Sequence, residues 1–274
     1  MDKPFAILGI DEAGRGPVLG PMVYAIAACI IDNPQDDYIP LLEHIHDLND
    51  SKELNSDKRT EIFASLKSLD YFHFGNITKD PISLNDIAKS SVRELLRSFS
   101  SKFNIVKCYV DTLGKASFYS RYLSSVFPDI PFKVSAKADS LFPIVSAASI
   151  CAKVTRDDLL FNFSPAEDIV LDRSFGSGYP ADPVVKAWLK RNFDDVFGWC
   201  SFVRFDWSTA VTLMEKKGVK VKWEDDKDAG KKRTKGKRDQ KSTKNQMQIT
   251  QFFSQKNQSI LKPKSVIRHF HVTF

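Results

Sequence analysis

Apolar and polar positions fall into blocks that read as strands first, then alternating helices and strands, then helices only. Phe5 to Ile10 is a short apolar run. A Gly- and Pro-rich turn follows (Gly14, Gly16, Pro17, Gly20, Pro21), then a second apolar run from Met22 to Ile31. The pair predicts a long-looped hairpin at the centre of a sheet. Tyr71 to Ile77, Ile105 to Val110 and Phe132 to Ala136 are read as three further strands. Ser56 is read as the cap of a helix through Leu69 that turns Ile62, Phe63, Leu66 and Leu69 to one face. Asn85 to Phe103 places Ile87, Val92, Leu95, Leu96, Phe99 and Phe103 at helical spacing, and Ser117 to Phe127 predicts another helix. Pro143 to Val154 is small and apolar all round, as a buried helix is. Asp182-Pro183 supplies the N-cap and first residue of a helix whose Val184, Val185, Trp188 and Leu189 are expected to face inward. Ser208 to Lys217 is the last helix, stopped by Gly218. The order predicts an α/β domain with a helical C-terminal part.

From about Asp226 to Asn245 the chain turns to Lys, Asp, Gly, Thr and Gln, with Ala229 as its one apolar residue, so a flexible linker is expected. Composition supports a packed core elsewhere: of 274 residues, 42% are hydrophobic and 12% aromatic. No apolar run approaches the ~20 residues of a membrane span. The N-terminus has no basic flank leading into a cleavable apolar segment. Cys29, Cys108, Cys151 and Cys200 lie far apart in apolar surroundings with no C-x-x-C pair, the pattern of reduced core thiols. Charge divides unevenly. Residues 1–225 carry 27 Lys and Arg against 31 Asp and Glu, whereas residues 226–274 carry 13 against 3. The net +6 therefore belongs to the tail. An acidic body that handles an anion needs a local basic surface or bound cations.

Candidate chemistry sits at strand ends. The first strand runs into Asp11-Glu12-Ala13-Gly14-Arg15-Gly16-Pro17, the fourth ends in Asp111-Thr112-Leu113-Gly114, and the fifth leads to Lys137-Ala138-Asp139. In an open α/β sheet, ligands collect beside strand ends. Four clustered carboxylates repel one another, and divalent cations with oxygen ligands relieve the repulsion. The pattern points to two-metal phosphodiester hydrolysis with Mg²⁺ or Mn²⁺. Gly14-Arg15-Gly16 offers backbone N–H groups with no side chain in the way, plus one cation, for close approach to a sugar–phosphate backbone. Its spacing fits neither of the two common nucleotide-binding glycine loops. His44, His46 and His73 show no ligand spacing, and no Ser–His–Asp or Cys–His arrangement is visible.

These residues resemble the signature of type 2 ribonuclease H, the ribonuclease HII family. The resemblance continues through Asp50-Ser51-Lys52 and Asp111 to Gly114. It takes in Lys137-Ala138-Asp139, the stretch Ser146 to Lys153, Gly176-Ser177-Gly178-Tyr179-Pro180 and Phe202-Val203-Arg204-Phe205. The last two, with Trp223-Glu224-Asp225, resemble eukaryotic catalytic A subunits more than bacterial relatives. The resemblance implies a ribonuclease-H-like mixed sheet flanked by helices over residues 1–225, with a helical C-terminal part and a flexible basic tail. It implies Asp11, Glu12, Asp111 and Asp139 as metal-binding catalytic acids, and Gly14, Arg15 and Gly16 as contacts to the ribonucleotide and its 2′-hydroxyl. Tyr179 is implied to stack on the sugar beyond the cut. Implied substrates are RNA:DNA hybrids and single ribonucleotides in duplex DNA, cut on the 5′ side to leave a 3′-hydroxyl and a 5′-phosphate. Lys52, Lys153 and Arg156 are read as phosphate contacts that supply the positive charge the body lacks. A non-catalytic nucleic-acid or clamp-binding module, and a DNA resolvase of the same fold superfamily, stay open as alternatives.

Within residues 246–274, Gln246-Met247-Gln248-Ile249-Thr250-Gln251-Phe252-Phe253 resembles the box by which replication and repair enzymes bind the sliding clamp, PCNA. Ile249, Phe252 and Phe253 make one apolar plug on a helical turn, and Gln246 fills a polar pocket. For the eukaryotic enzymes, accessory B and C subunits are further implied partners. Lys231 to Arg238 is read as a nuclear localisation signal or a non-specific nucleic-acid contact, which places the protein in the nucleus. Phe270, Val272 and Phe274 alternate in a way that suits strand addition to a partner.

Overall fold

The computed structural model of the chain describes residues 3–35, 54–79, 84–167 and 169–219. These form two compact units, one of residues 3–16 and 20–163, the other of residues 17–19 and 164–219.

The first unit is built on a five-stranded mixed sheet. β1 (Phe5–Ala13) and β2 (Met22–Ile31) form the expected antiparallel hairpin, and β3 (Phe72–Lys79) extends it on the β2 side. β4 (Asn104–Asp111) and β5 (Phe132–Ser135) run parallel to β1 on its other side, giving the order β3-β2-β1-β4-β5. The two central strands are buried on both faces, and their near-continuous apolar run reflects this. β1 is longer than the apolar run suggests. Asp11 and Glu12 do not begin a loop; they pair with Ala25 and Tyr24 of β2, and the strand continues to Ala13.

Strand alternation assigns the faces. Ile7 and Ala13 of β1, with Val23, Ala25, Ala27 and Cys29 of β2, pack under α1 (Ser56–Lys67) and α5 (Pro143–Phe161). Ala6, Leu8, Ile10, Tyr24 and Ile26 pack under α2 (Leu84–Ser100) and α3 (Ala116–Val126). α4 (Ala138–Leu141), a single turn with no signal in the hydrophobic pattern, precedes α5. The cap of α1 is Asn55, not Ser56: its side chain accepts a hydrogen bond from Lys58 N at 2.8 Å. α5 runs seven residues beyond the expected Val154, because its second half is amphipathic rather than apolar all round. The four cysteines are buried and free.

The second unit contains α6 (Pro183–Arg191) and α7 (Ser208–Lys217). Its core is aromatic. Phe202 lies 5.0 Å from Phe175 and 5.9 Å from Trp188, and Trp199 packs edge-on against Phe193 and Phe205. Both indole N–H groups are satisfied, Trp188 by Asp172 O and Trp199 by Leu189 O, each at 2.8 Å. Val185, Trp188 and Leu189 of α6 are buried as expected. Val184 is half exposed instead, one position off the inward stripe.

The sheet approaches α5 unusually closely, and Gly9 permits it. A Cβ at this position would lie 2.2 Å from Ile144 O and 2.7 Å from Val145 N, both backbone atoms that cannot yield cheaply. Small residues on both sides, Ala25 and Ala27 against Ala147, Ala148 and Ala152, keep the layers together. Gly9→Ala is therefore expected to destabilise the protein by about 3 kcal/mol, lowering the thermal midpoint by about 10 °C. A melting curve within about 2 °C of wild type would contradict this packing account.

Candidate active site

Parallel pairing brings the acids together. Ile10 of β1 lies opposite Val110 of β4, so Asp11 and Asp111 follow at the same end of neighbouring strands. Asp111 in turn pairs with Ser135 of β5. Two residues on, Lys137 adopts a left-handed conformation (φ 55°) that turns the chain sharply into α4 and brings Asp139 back toward the strand ends. The turn is fastened by Asp111 itself, whose Oδ1 accepts a hydrogen bond from Ala138 N at 2.7 Å. Asp11 lies on the α5 face of the sheet, where it accepts bonds from Glu12 N (2.7 Å) and the Ser149 hydroxyl of α5. Asp11 and Asp139 are buried, 7% and 5% exposed.

The electrostatic consequence is large. Burial, reinforced by the like charges of Asp111 and Asp139, pushes the Asp11 carboxyl up to about 7 despite its two hydrogen bonds. Burial, and then Asp11, Asp111 and Asp139, push Glu12 up to about 8, opposed by the positive charge of Arg15. Glu12 also acts on the buried Tyr119 of α3, whose phenol is raised chiefly by its own burial. Each of the two acids therefore feels all of the remaining three.

Among the described residues, no three His, Cys, Asp or Glu side chains are arranged to enclose one metal ion. That does not conflict with a hard divalent cation of the Mg²⁺ type, which takes one or two carboxylates and fills its sphere with water and phosphate oxygens. The donor set fits such an ion: all oxygen, acidic, and self-repelling to the point that two members hold protons near neutrality.

Gly14, Arg15 and Gly16 follow β1 directly. Gly14 has φ 83°, and a Cβ there would lie 2.4 Å from Arg156 Nε and 2.6 Å from Pro21 O. Arg15 donates from Nη2 to Asn85 Oδ1 at the start of α2 (3.0 Å). Arg156 is only 8% exposed, with Nε donating to Pro21 O at 3.3 Å, so it lies beneath the glycine turn. Lys153 is half-buried on α5. Lys52, the clamp-like box with Gln246, Ile249, Phe252 and Phe253, and the basic run at 231–238 lie outside the described residues.

Tyr179 belongs to the second unit and is 50% exposed. Its loop is pinned from two sides. The carbonyl of Gly178 accepts from Val18 N (2.8 Å) and Leu19 N (3.4 Å). Asp182, the cap of α6, accepts from Val184 N with one oxygen and from Ser177 N and Oγ with the other, at 2.7 to 2.9 Å. Arg204, 5% exposed, donates to Pro17 O (2.9 Å) and completes the attachment of residues 17–19. Sequence reading missed the roles of Ser149, Asn85 and Arg204. It found Asp182 only as a cap, since a carboxylate bonding five residues back leaves no periodic trace.

A family model described as Ribonuclease HII matches residues 8–210. The ribonuclease H2 catalytic-chain relative from Caenorhabditis elegans, named as the A component of that enzyme, is 42% identical over 248 residues, covering 84% of this chain and 82% of the worm protein. Among solved structures, the ribonuclease H2 of Pyrococcus horikoshii OT3 superposes with a TM-score of 0.58 at 31% identity, covering 77% of this chain and 98% of its own. A PCNA:RNase HII complex from Archaeoglobus fulgidus contains a chain with a TM-score of 0.61 at 28% identity, covering 80% of this chain and 99% of the other.

The raised Asp11 makes a stability prediction. Its folded value lies above the ordinary aspartate value of about 3.9, so the stability it contributes is complete below about pH 4 and is lost as pH rises through about 7. In EDTA at about pH 8, Asp11→Asn is expected to be more stable than wild type by about 2 kcal/mol, with the gap closing toward about pH 5. Thermal melts at the two pH values check this. A variant less stable than wild type at the higher pH would overturn the assignment of Asp11 as a buried, repelled carboxylate.

Proposed function

The chain belongs to the ribonuclease HII family, and from that premise we propose that it hydrolyses the RNA strand of RNA:DNA hybrids and cuts on the 5′ side of single ribonucleotides embedded in duplex DNA, leaving a 3′-hydroxyl and a 5′-phosphate. The observation that carries the reading is the mutual perturbation of Asp11, Glu12, Asp111 and Asp139 at the ends of β1 and β4 and in the turn after β5. Such a set favours a state in which cations replace the protons. Asp11, Glu12, Asp111 and Asp139 would hold two Mg²⁺ or Mn²⁺ ions. When bound, the ions lower the pKa of the attacking water and steady the departing oxygen.

The remaining residues bind and orient. The left-handed turn at Gly14 exposes backbone amides to a ribose 2′-hydroxyl, and Arg156 supports that turn from below by occupying the space a side chain at position 14 would need. Recognition through amides beside the acids tests for the hydroxyl without reading sequence, which suits RNA–DNA junctions. Tyr179 offers a half-exposed ring for stacking on the sugar beyond the cut, on a loop held in place by Asp182 and Gly178. Lys52 and Lys153 supply phosphate contacts. Ribonucleotide removal during DNA replication and repair, in the nucleus, is the setting these substrates imply.

The partner reading rests on residues 246–253, whose pattern suits a sliding clamp, and the related Archaeoglobus fulgidus RNase HII has been seen in complex with PCNA. B and C subunits complete the proposed assembly.

Two measurements test these readings. On a duplex with one ribonucleotide and Mg²⁺, wild type is expected to cut at that site. Asp11→Asn and Asp111→Asn are expected to lose at least about 10³-fold in rate while still binding the duplex. Cleavage by either variant at the wild-type rate would remove the acid cluster from catalysis. In calorimetric titration with the clamp, a peptide of residues 246–253 is expected to release heat, and the Phe252→Ala, Phe253→Ala peptide is not. Indistinguishable titrations would end the clamp assignment.

A further inference from the structure

We propose that the exposed faces of the first turns of α2 and α3 form a second nucleic-acid contact, a cationic and aromatic shelf that grips duplex flanking the cut; this rests on the ribonuclease reading above. The body of the chain is net acidic, and Arg156, offered from the sequence as one of its phosphate contacts, is buried. The needed positive surface lies elsewhere. α3 contains no acidic residue. Its Phe118 is 61% exposed, with Lys115 Nζ 5.4 Å and the Arg121 guanidinium 5.9 Å from the ring centre. Beside it, Tyr122 stacks nearly parallel on Tyr119 (9° between planes) and carries Lys89 Nζ of α2 over its ring at 5.2 Å. The acids of α2 are Asp86 and Glu94, outnumbered by Lys89, Arg93 and Arg97.

Two contacts make this shelf continuous with the acid cluster. Arg15, in the glycine turn, bonds Asn85 in the first turn of α2. Tyr119, the buried neighbour of Phe118, interacts electrostatically with Glu12. The opposite face of the same helical turn thus presents Phe118 and its two cations to solvent. Cations spaced around accessible rings suit a polyanion whose bases or sugars can lie on an aromatic face. An acidic protein surface would use the charges but leave the exposed ring without a stacking partner.

The test measures binding of the full chain, carrying Asp111→Asn to prevent cleavage, to a duplex of about 30 base pairs with one central ribonucleotide, between about 50 and 200 mM salt. Adding Lys115→Glu with Arg121→Glu is expected to weaken binding by about tenfold and to reduce the log–log salt slope by about 2. Phe118→Ala, a cheap change at an exposed position, is expected to weaken binding about threefold or more with the slope unchanged. Lys58→Glu with Lys67→Glu, equal in charge but on α1, is the control and is expected to have a smaller effect on both quantities. Equal affinity and slope for the α3 reversal and its parent would overturn the proposal, as would equal losses for the α3 and α1 reversals. A Phe118→Ala variant that binds as its parent does would remove the stacking component. Cleavage of the same duplex by the otherwise wild-type chain, run in parallel, reports on the ribonuclease reading by itself.

Discussion

Four carboxyl groups that cannot all be charged at once in the same buried place are the constraint around which the first unit is arranged. Nothing about a sheet requires acids at the ends of its central strands, and burying them costs folding free energy. The fold nevertheless holds them firmly. Asp11 is fixed by pairing of β1 with β2 and by Ser149, and Asp111 and Asp139 are joined through the left-handed Lys137 turn. Close packing of α5 on Gly9 sets how near Ser149 comes to Asp11. Stability given up here is the usual signature of a site organised for a ligand that restores it.

The second unit is organised by hydrogen bonds to backbone rather than by charge clusters. Residues 17–19 leave the glycine turn and are at once taken up by Gly178, Val203 and Arg204. The segment just after Gly14-Arg15-Gly16 is therefore bonded to the carbonyl one residue before Tyr179. A guanidinium as buried as that of Arg204 is tolerable because carbonyl oxygens such as Pro17 O receive its donors.

Much of this was legible in the chain. The apolar runs placed all five strands, since each is either continuously apolar or ends in a polar group with a chemical reason to be there. The three acidic strand ends were readable because carboxylates following Ile10 and Val110 contradict the apolar pattern they interrupt. The errors have physical sources. β1 continues through Asp11 and Glu12 because ladder bonds to Ala25 and Tyr24 outweigh the polarity of those side chains. Asn55 displaces Ser56 as a cap because either side chain can accept the same amide, and only backbone geometry decides between neighbours. Arg156 looked like a phosphate contact because burial of a cation against a glycine turn leaves no mark in local composition. The short α4 and the partition into two units depend on tertiary contacts that no window of sequence contains.

The central claim is that burial and mutual repulsion hold protons on this cluster until divalent cations replace them. Carboxyl-carbon NMR of the metal-free protein, followed across pH and then repeated with Mg²⁺, addresses it directly. The account predicts two side chains, Asp11 and Glu12, titrating at about 7 and about 8 without metal, both moving down on addition of Mg²⁺ as the cation takes the place of the proton. All four carboxyls titrating in the ordinary range near 4, with no response to Mg²⁺, would contradict it.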